Sequence, residues 1–174
     1  MDKNAYRLTC KTKKNGYDWW WHSFVGKHET TGETRPFFIE YYVINPGLWN
    51  GEIVLGQSKE NKQQKRPPVY AMLKAGSWGK DKVQLHNFYG IDQFGASAEE
   101  LDCKIGAAVI REDYLKGSVT VTQEEAENNP GMMSDYGTMS WDFKAKKLIK
   151  YDVGYGSSNL FNRLNAFRMY WHVG

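Results

Sequence analysis

Two runs near the start of the chain, Tyr17-Asp-Trp-Trp-Trp-His-Ser-Phe-Val25 and Pro36-Phe-Phe-Ile-Glu-Tyr-Tyr-Val-Ile-Asn45, break the usual alternation of apolar and polar positions. Successive side chains on a β-strand leave by opposite faces, so Trp19, Trp20 and Trp21 must fill both. A strand with one wet face would not carry them. The pattern predicts a strand covered on both sides and closing around an interior. The polar residues inside these runs, His22 and Glu40, are then expected to be buried, where an imidazole and a carboxylate need partners or a purpose.

Elsewhere the two-residue period is plainer. Val69-Tyr-Ala-Met-Leu-Lys-Ala75 and Val83-Gln-Leu-His-Asn-Phe-Tyr89 predict two strands around a turn at Gly79-Lys80-Asp81. Ser118-Val-Thr-Val-Thr122 puts Val119 and Val121 on one face and hydroxyls on the other. Thr138-Met-Ser-Trp-Asp-Phe-Lys144 turns Met139, Trp141 and Phe143 inward and leaves Asp142 and Lys144 to solvent. Phe167, Met169, Trp171 and Val173 alternate with Arg168, Tyr170 and His172. Helical signals are few. Ser97-Ala-Glu-Glu100 has capping-box spacing but leads into a turn or so, and residues 123–128 and 159–164 each suit a short helix. The polar tract 57–66, ahead of Pro67-Pro68, reads as a solvated, mobile loop between strands. The fold class is therefore all-β, an antiparallel barrel or strongly curved sandwich with a few short helical turns.

Composition narrows this picture. The 174 residues fit one domain, 1–174, long enough to bury a real core. A net charge of +3, from 23 basic and 20 acidic residues, argues against nucleic acid or an anionic membrane as partner. No apolar stretch approaches the ~20 residues of a membrane helix, and the first residues lack the apolar stretch of a signal peptide. Cys10 and Cys103 make no disulfide framework, so reduced thiols in a cytoplasm are expected. The chain stops at Trp171-His-Val-Gly174 in the middle of an expected strand. Either it belongs to a longer protein, or this strand pairs with another chain.

The candidate chemistry sits in the interrupted runs. His22 shares a strand face with Asp18, Trp20 and Phe24, and Glu40 with Phe38, Tyr42 and Ile44. Paired as a hairpin, the two strands could bring His22 and Glu40 onto one face. A carboxyl group beside an imidazole in an aromatic pocket could then protonate an alkene, since burial raises its pKa, and ring faces would steady the developing cation. The same pair could equally be structural, closing polar groups inside a barrel. His86, between Gln84 and Phe88, is a further interior candidate, as catalyst or as a satisfied strand histidine. His172 faces away from the apolar side of its strand, toward an outer surface or a seam. The four histidines are scattered without His-x-His or Cys-x-x-Cys spacing, so no metal site is expected. Gly154-Tyr-Gly156 lacks the setting of a dinucleotide fingerprint, and no Ser or Cys sits in a nucleophile elbow. No cofactor is expected.

Asp18-Trp-Trp-Trp-His22, the turn at Thr31-Gly32-Glu33, Phe37-Phe-Ile-Glu-Tyr-Tyr-Val-Ile-Asn-Pro46, Gly137-Thr-Met-Ser-Trp141 and Phe167-Arg-Met-Tyr-Trp-His-Val-Gly174 together resemble the AttH-like, carotenoid 1,2-hydratase and tocopherol cyclase group of lipocalin-like proteins. The resemblance runs from Asp18 to Gly174. It implies a lipocalin-like β-barrel, the first of two in chains about twice this length, with a second barrel or a homodimer partner to complete it. It also implies a hydrophobic ligand, since members act as hydratases, cyclases or pericyclases on polyenes, prenylated rings and polyketides.

Three functions follow as expectations. One is a cofactor-independent hydratase, cyclase or isomerase acting by acid catalysis through His22, Glu40 and His86 on a terpenoid-, polyene- or polyketide-like molecule. Trp20, Phe24, Phe38, Tyr42, Phe88 and Trp171 would line its cavity. Another is a carrier that uses the same cavity without chemistry. The third is a carbohydrate-binding sandwich whose exposed tryptophans stack on sugars.

Overall fold

The computed structural model of the chain describes residues 4–9, 15–56, 58–146, 148–153 and 169–173, the strands at 149–153 and 169–173 by their backbone. The chain begins with an antiparallel meander: β1 (Tyr17–Lys27), β2 (Thr34–Ile44), a short helix α1 (Lys59–Gln63), β3 (Tyr70–Ser77) and β4 (Val83–Tyr89). The four strands form one sheet in sequence order. A second antiparallel sheet follows, again in order: β5 (Phe94–Ala96), β6 (Asp102–Ile105), β7 (Ala108–Arg111), β8 (Tyr114–Val121), then helix α2 (Gln123–Asn128) and β9 (Gly137–Lys144). A final hairpin pairs β10 (Ile149–Val153) with β11 (Met169–Val173). The all-β antiparallel expectation holds. Its closed-barrel form does not appear among the described residues, because the hydrogen-bonded ladder stops at β4 and restarts at β5, across the 3-10 turn Ile91–Gln93.

The two sheets pack face to face. From the first come Trp20, Ile39, Tyr41, Leu73, Ala75 and Leu85; from the second come Cys103, Ile105, Ile110, Leu115, Val119 and Trp141. Each fully buried aliphatic side chain contributes ~1.5–3 kcal/mol of transfer free energy, so this interior is the main source of stability. One polar group crosses it. The Tyr41 hydroxyl lies 2.8 Å from the Val109 carbonyl and 3.1 Å from that of Lys116, and it accepts the Trp141 indole N–H at 3.3 Å. A phenol buried at the sheet–sheet boundary thereby satisfies backbone groups of β7 and β8.

The far side of the second sheet is polar, as the alternation in β8 and β9 predicts. Val119, Val121 and Trp141 are buried, while Lys116, Thr120 and Asp142 are exposed. Lys116 and Asp142 pair across the strands at 2.8 Å, and Thr120 and Thr138 share a hydrogen bond. Residues 123–128 form the expected helix behind a full capping box of Thr122 and Glu125. The tract 57–66 differs from expectation. It carries α1, because the Ser58 hydroxyl accepts the Asn61 N–H and Glu60 sits in the positive first turn. The helix is nonetheless solvated. The expected helix at 159–164 and Cys10 lie outside the described residues; Cys103 is a buried free thiol.

The first residues brace β1. The Trp20 indole N–H donates to the Asn4 carbonyl at 2.8 Å, and the Arg7 N–H donates to Asp18 at 2.9 Å. Burial pushes the Asp18 carboxyl up to about 6 despite the hydrogen bonds it accepts from the backbone N–H groups of Arg7 and Trp19. A carboxyl raised in the folded state favours folding fully below its unfolded pKa, near 4, and that contribution fades as pH rises through about 6. Relative to Asp18→Asn, the wild type should therefore lose up to ~1.4 kcal/mol of stability per pH unit across that window. Urea unfolding of both proteins at pH 4, 5, 6 and 7 measures it; a difference independent of pH would show that the carboxyl does not titrate there.

Candidate functional site

The hairpin register decides which side chains meet. Trp20 pairs with Tyr41, Trp21 with Glu40 and His22 with Ile39, so even positions of β1 share a face with odd positions of β2. His22 therefore lies on the core side and Glu40 on the opposite side. The expected His22–Glu40 pair does not form, because a shift of one residue in register exchanges every side chain between faces. Both residues are half-buried rather than fully buried.

Continuing the register across β3 and β4 produces a different constellation. Glu40 is opposite Lys74, and Lys74 is opposite His86. Trp21, Glu40, Lys74 and His86 thus form one row across all four strands, on the face turned away from the core. A row of Trp19, Tyr42, Met72 and Phe88 flanks it on one side. On the other side, Phe38 stacks under Trp21 at 5.1 Å between ring centroids and 7° between planes. Trp78 closes the cluster, 5.2 Å from Phe38 and 5.8 Å from Trp21. Tyr70 lies near Tyr42 and meets Phe88 edge-on at 4.9 Å. Phe38 is only 1% exposed although it points away from the core. Of the three consecutive tryptophans, Trp20 is buried in the core, while Trp19 and Trp21 are half-buried in an aromatic layer on the outer face. The expected cover on both sides is thus complete on one side and partial on the other.

Three ionisable groups sit in that layer. The Glu40 carboxyl is raised by burial, with the Lys74 charge working the other way. Lys74 Nζ lies 5.5 Å from the Phe38 ring centroid, in cation–π range. His86 is 9% exposed, and burial pushes its pKa down, opposed by its bond to the Met132 carbonyl. That bond, 2.8 Å from Nδ1 to a group that can only accept, fixes the proton on Nδ1. Nε2 keeps its lone pair, and it is buried without a hydrogen-bond partner among the described residues. Raised Tyr42 and Tyr70 hydroxyls, both mainly from burial, complete the picture of a poorly hydrated surface.

Long connections hold this face in place. The His86 N–H donates to the Ser134 hydroxyl, the Asp135 N–H to the Gln84 carbonyl, and the Gln84 N–H to the Asp135 carboxylate. Residues 134–135 so occupy the free edge of β4. Just before them Gly131 packs on Ser58, where an added Cβ would stand 3.2 Å from the serine Cβ, bringing the segment before α1 against the turn after α2. At the end of β2, Asn45 adopts a left-handed conformation; its side chain accepts the Gly16 N–H and donates to the Pro68 carbonyl.

Of the residues expected to form a site, Phe38, Glu40, Tyr42, His86 and Phe88 gather on this one face. Trp20, His22 and Phe24 lie on the core side, where Phe24 packs against Phe37 and Phe143. Trp171 is placed only by its backbone, opposite Tyr151 in the last hairpin. Lys74, Trp21, Tyr70 and Met72 were missed. Lys74 carried the same signal as Glu40, a charged residue inside an apolar strand run. A separate groove of about 560 Å³ runs along β8 and β9 past Tyr89, Gly117, Ser118, Ser140 and Trp141; its ionisable neighbours Lys116 and Asp142 are exposed and already paired. Among the described residues no three His, Cys, Asp or Glu side chains gather as a metal site. Compared with known proteins, the chain matches no family model, no curated protein and no solved structure.

Proposed function

We propose that the aromatic face of the first sheet binds a hydrophobic small molecule of terpenoid, polyene or polyketide type, and that Glu40 acts on it as a proton donor. The observation that carries this reading is Glu40 itself. It is a half-buried carboxyl of raised pKa, set among Trp21, Phe38 and Tyr42, with Lys74 across the ladder as its charged neighbour. Burial keeps the proton on the acid to higher pH than in water, which suits it to protonate a double bond. The alkene π pair takes that proton, and Glu40 becomes a carboxylate facing a carbocation. Loss of a neighbouring C–H proton back to Glu40 gives the isomer. Attack by an internal double bond followed by the same proton loss gives a ring, and attack by water that returns its proton to Glu40 gives an alcohol. Lys74 repels positive charge, so the cation belongs on the Trp21–Tyr42 side, where ring faces stabilise it.

A sugar would need an indole face free for stacking. Trp78 is 39% exposed, but Trp21, Phe38 and Trp78 are stacked on one another in a cluster and not set out as a flat row, which favours the apolar ligand.

Native mass spectrometry of protein purified from its source should show a co-bound apolar molecule. Glu40→Gln should retain that molecule while its conversion falls by ~10²-fold or more. Conversion unaffected by the substitution would remove Glu40 from the chemistry, and spectra free of any such ligand would overturn the binding reading.

A further inference from the structure

We infer that Lys74 and His86 form a head-group pocket that selects, among apolar ligands, those carrying a hydroxyl group. The inference rests on the reading of this face as an apolar-ligand site and adds a polar requirement to it. Lys74 and His86 are directly opposed on adjacent strands and point to the same face, a spacing of ~5 Å between Cβ atoms. Their hydrogen-bonding characters are complementary. Nε2 of His86 can only accept, because Nδ1 holds the ring proton against the Met132 carbonyl. The Lys74 ammonium can only donate. A hydroxyl is the smallest group that satisfies both at once, giving its hydrogen to Nε2 and taking one from Nζ on the same oxygen.

Two features mark the acceptor as built rather than incidental. A buried nitrogen without a partner is costly, and few native groups are left so. The residue is also held at two points, its ring through Nδ1 to Met132 and its main chain through the backbone N–H to Ser134, 46 and 48 residues away in sequence. It cannot swing out to water to find a partner without breaking the cover on β4. Alternatives fit less well. A carboxylate would suit Lys74 but would turn lone pairs toward Nε2. An ether or ester oxygen would suit Lys74 and leave Nε2 as it is. An amine would face the ammonium.

The test uses the full-length protein and two probes of one chain length, 1-decanol and its methyl ether, titrated against tryptophan fluorescence. Both offer an oxygen to Lys74, and only the alcohol offers a hydrogen to His86. Wild type should bind the alcohol about tenfold more tightly, the net worth of one hydrogen bond made to the protein in place of one to water. His86→Phe should bring the two affinities together while leaving that of the ether within about threefold, and Lys74→Met should weaken both probes alike. Equal affinities in the wild type would overturn the hydroxyl pocket and leave the apolar-ligand reading standing, whereas failure of both probes to bind would overturn both. A preference surviving in His86→Phe would exclude His86 as the acceptor. Should that variant fail to fold, judged by circular dichroism, the wild-type preference decides alone.

Discussion

Gly76→Ala should destabilise the protein by ~3 kcal/mol or more, the cost of forcing volume into a site with no room to yield. Gly76 lies in β3 between Phe38 on β2 and Gln84 on β4. A methyl group there would run into the Val83 carbonyl of the neighbouring strand and stand 3.0 Å from the Phe38 ring. The carbonyl belongs to backbone and cannot rotate aside, so β3 and β4 must separate or twist. Phe38 in turn supports the Trp21 and Trp78 rings. The near-ultraviolet circular dichroism of the aromatic face should therefore change along with the urea midpoint. Gly95→Ala serves as control, because nothing lies within 4 Å of its added methyl. If Gly76→Ala unfolds at the same urea concentration as that control, the close approach of the two strands is not a constraint.

Tyr41→Phe should cost ~2–3 kcal/mol, out of proportion to the single oxygen removed. The ring would stay, so little packing is lost. What goes is the one atom that serves the Val109 and Lys116 carbonyls and receives the Trp141 N–H. The Trp141 N–H stays buried and the two carbonyls part-buried, and no side chain stands by to replace the lost oxygen. Urea or thermal unfolding measures the loss. A variant as stable as wild type would mean that the sheet boundary is wetter than the burial of Tyr41 and Trp141 implies.

The sequence carried the strands well and the pairing of side chains poorly. Runs as apolar as 17–25 and 36–45 could hardly be anything but strands, but the cover on both sides that they suggested is only partial, with Trp20 buried and Trp19 and Trp21 half-buried. The partner of Glu40 was a question of parity, and parity is set by the connection between β1 and β2. His28 decides it: its Nδ1 accepts the N–H groups of Thr30 and Thr31, its backbone N–H donates to Glu33, and Gly32 takes a positive φ of 71°. Nothing in the strand runs records that a histidine caps the turn. The environment of His86 was hidden for another reason, since it comes from Met132 and Ser134 far along the chain. The open ladder between β4 and β5 likewise depends on the turn at Ile91–Gln93, which alternation alone does not reveal.

The polar row has one consequence for energetics. Its members stand on neighbouring strands of a single antiparallel ladder, spaced ~4.8 Å apart by backbone pairing, and none is borrowed from a hinged lobe. Whatever docks there meets groups whose mutual geometry was settled when the sheet formed. Association would spend little entropy on ordering the strands, and the rearrangement left to the host is the side-chain movement that opens the buried His86 Nε2 to the guest.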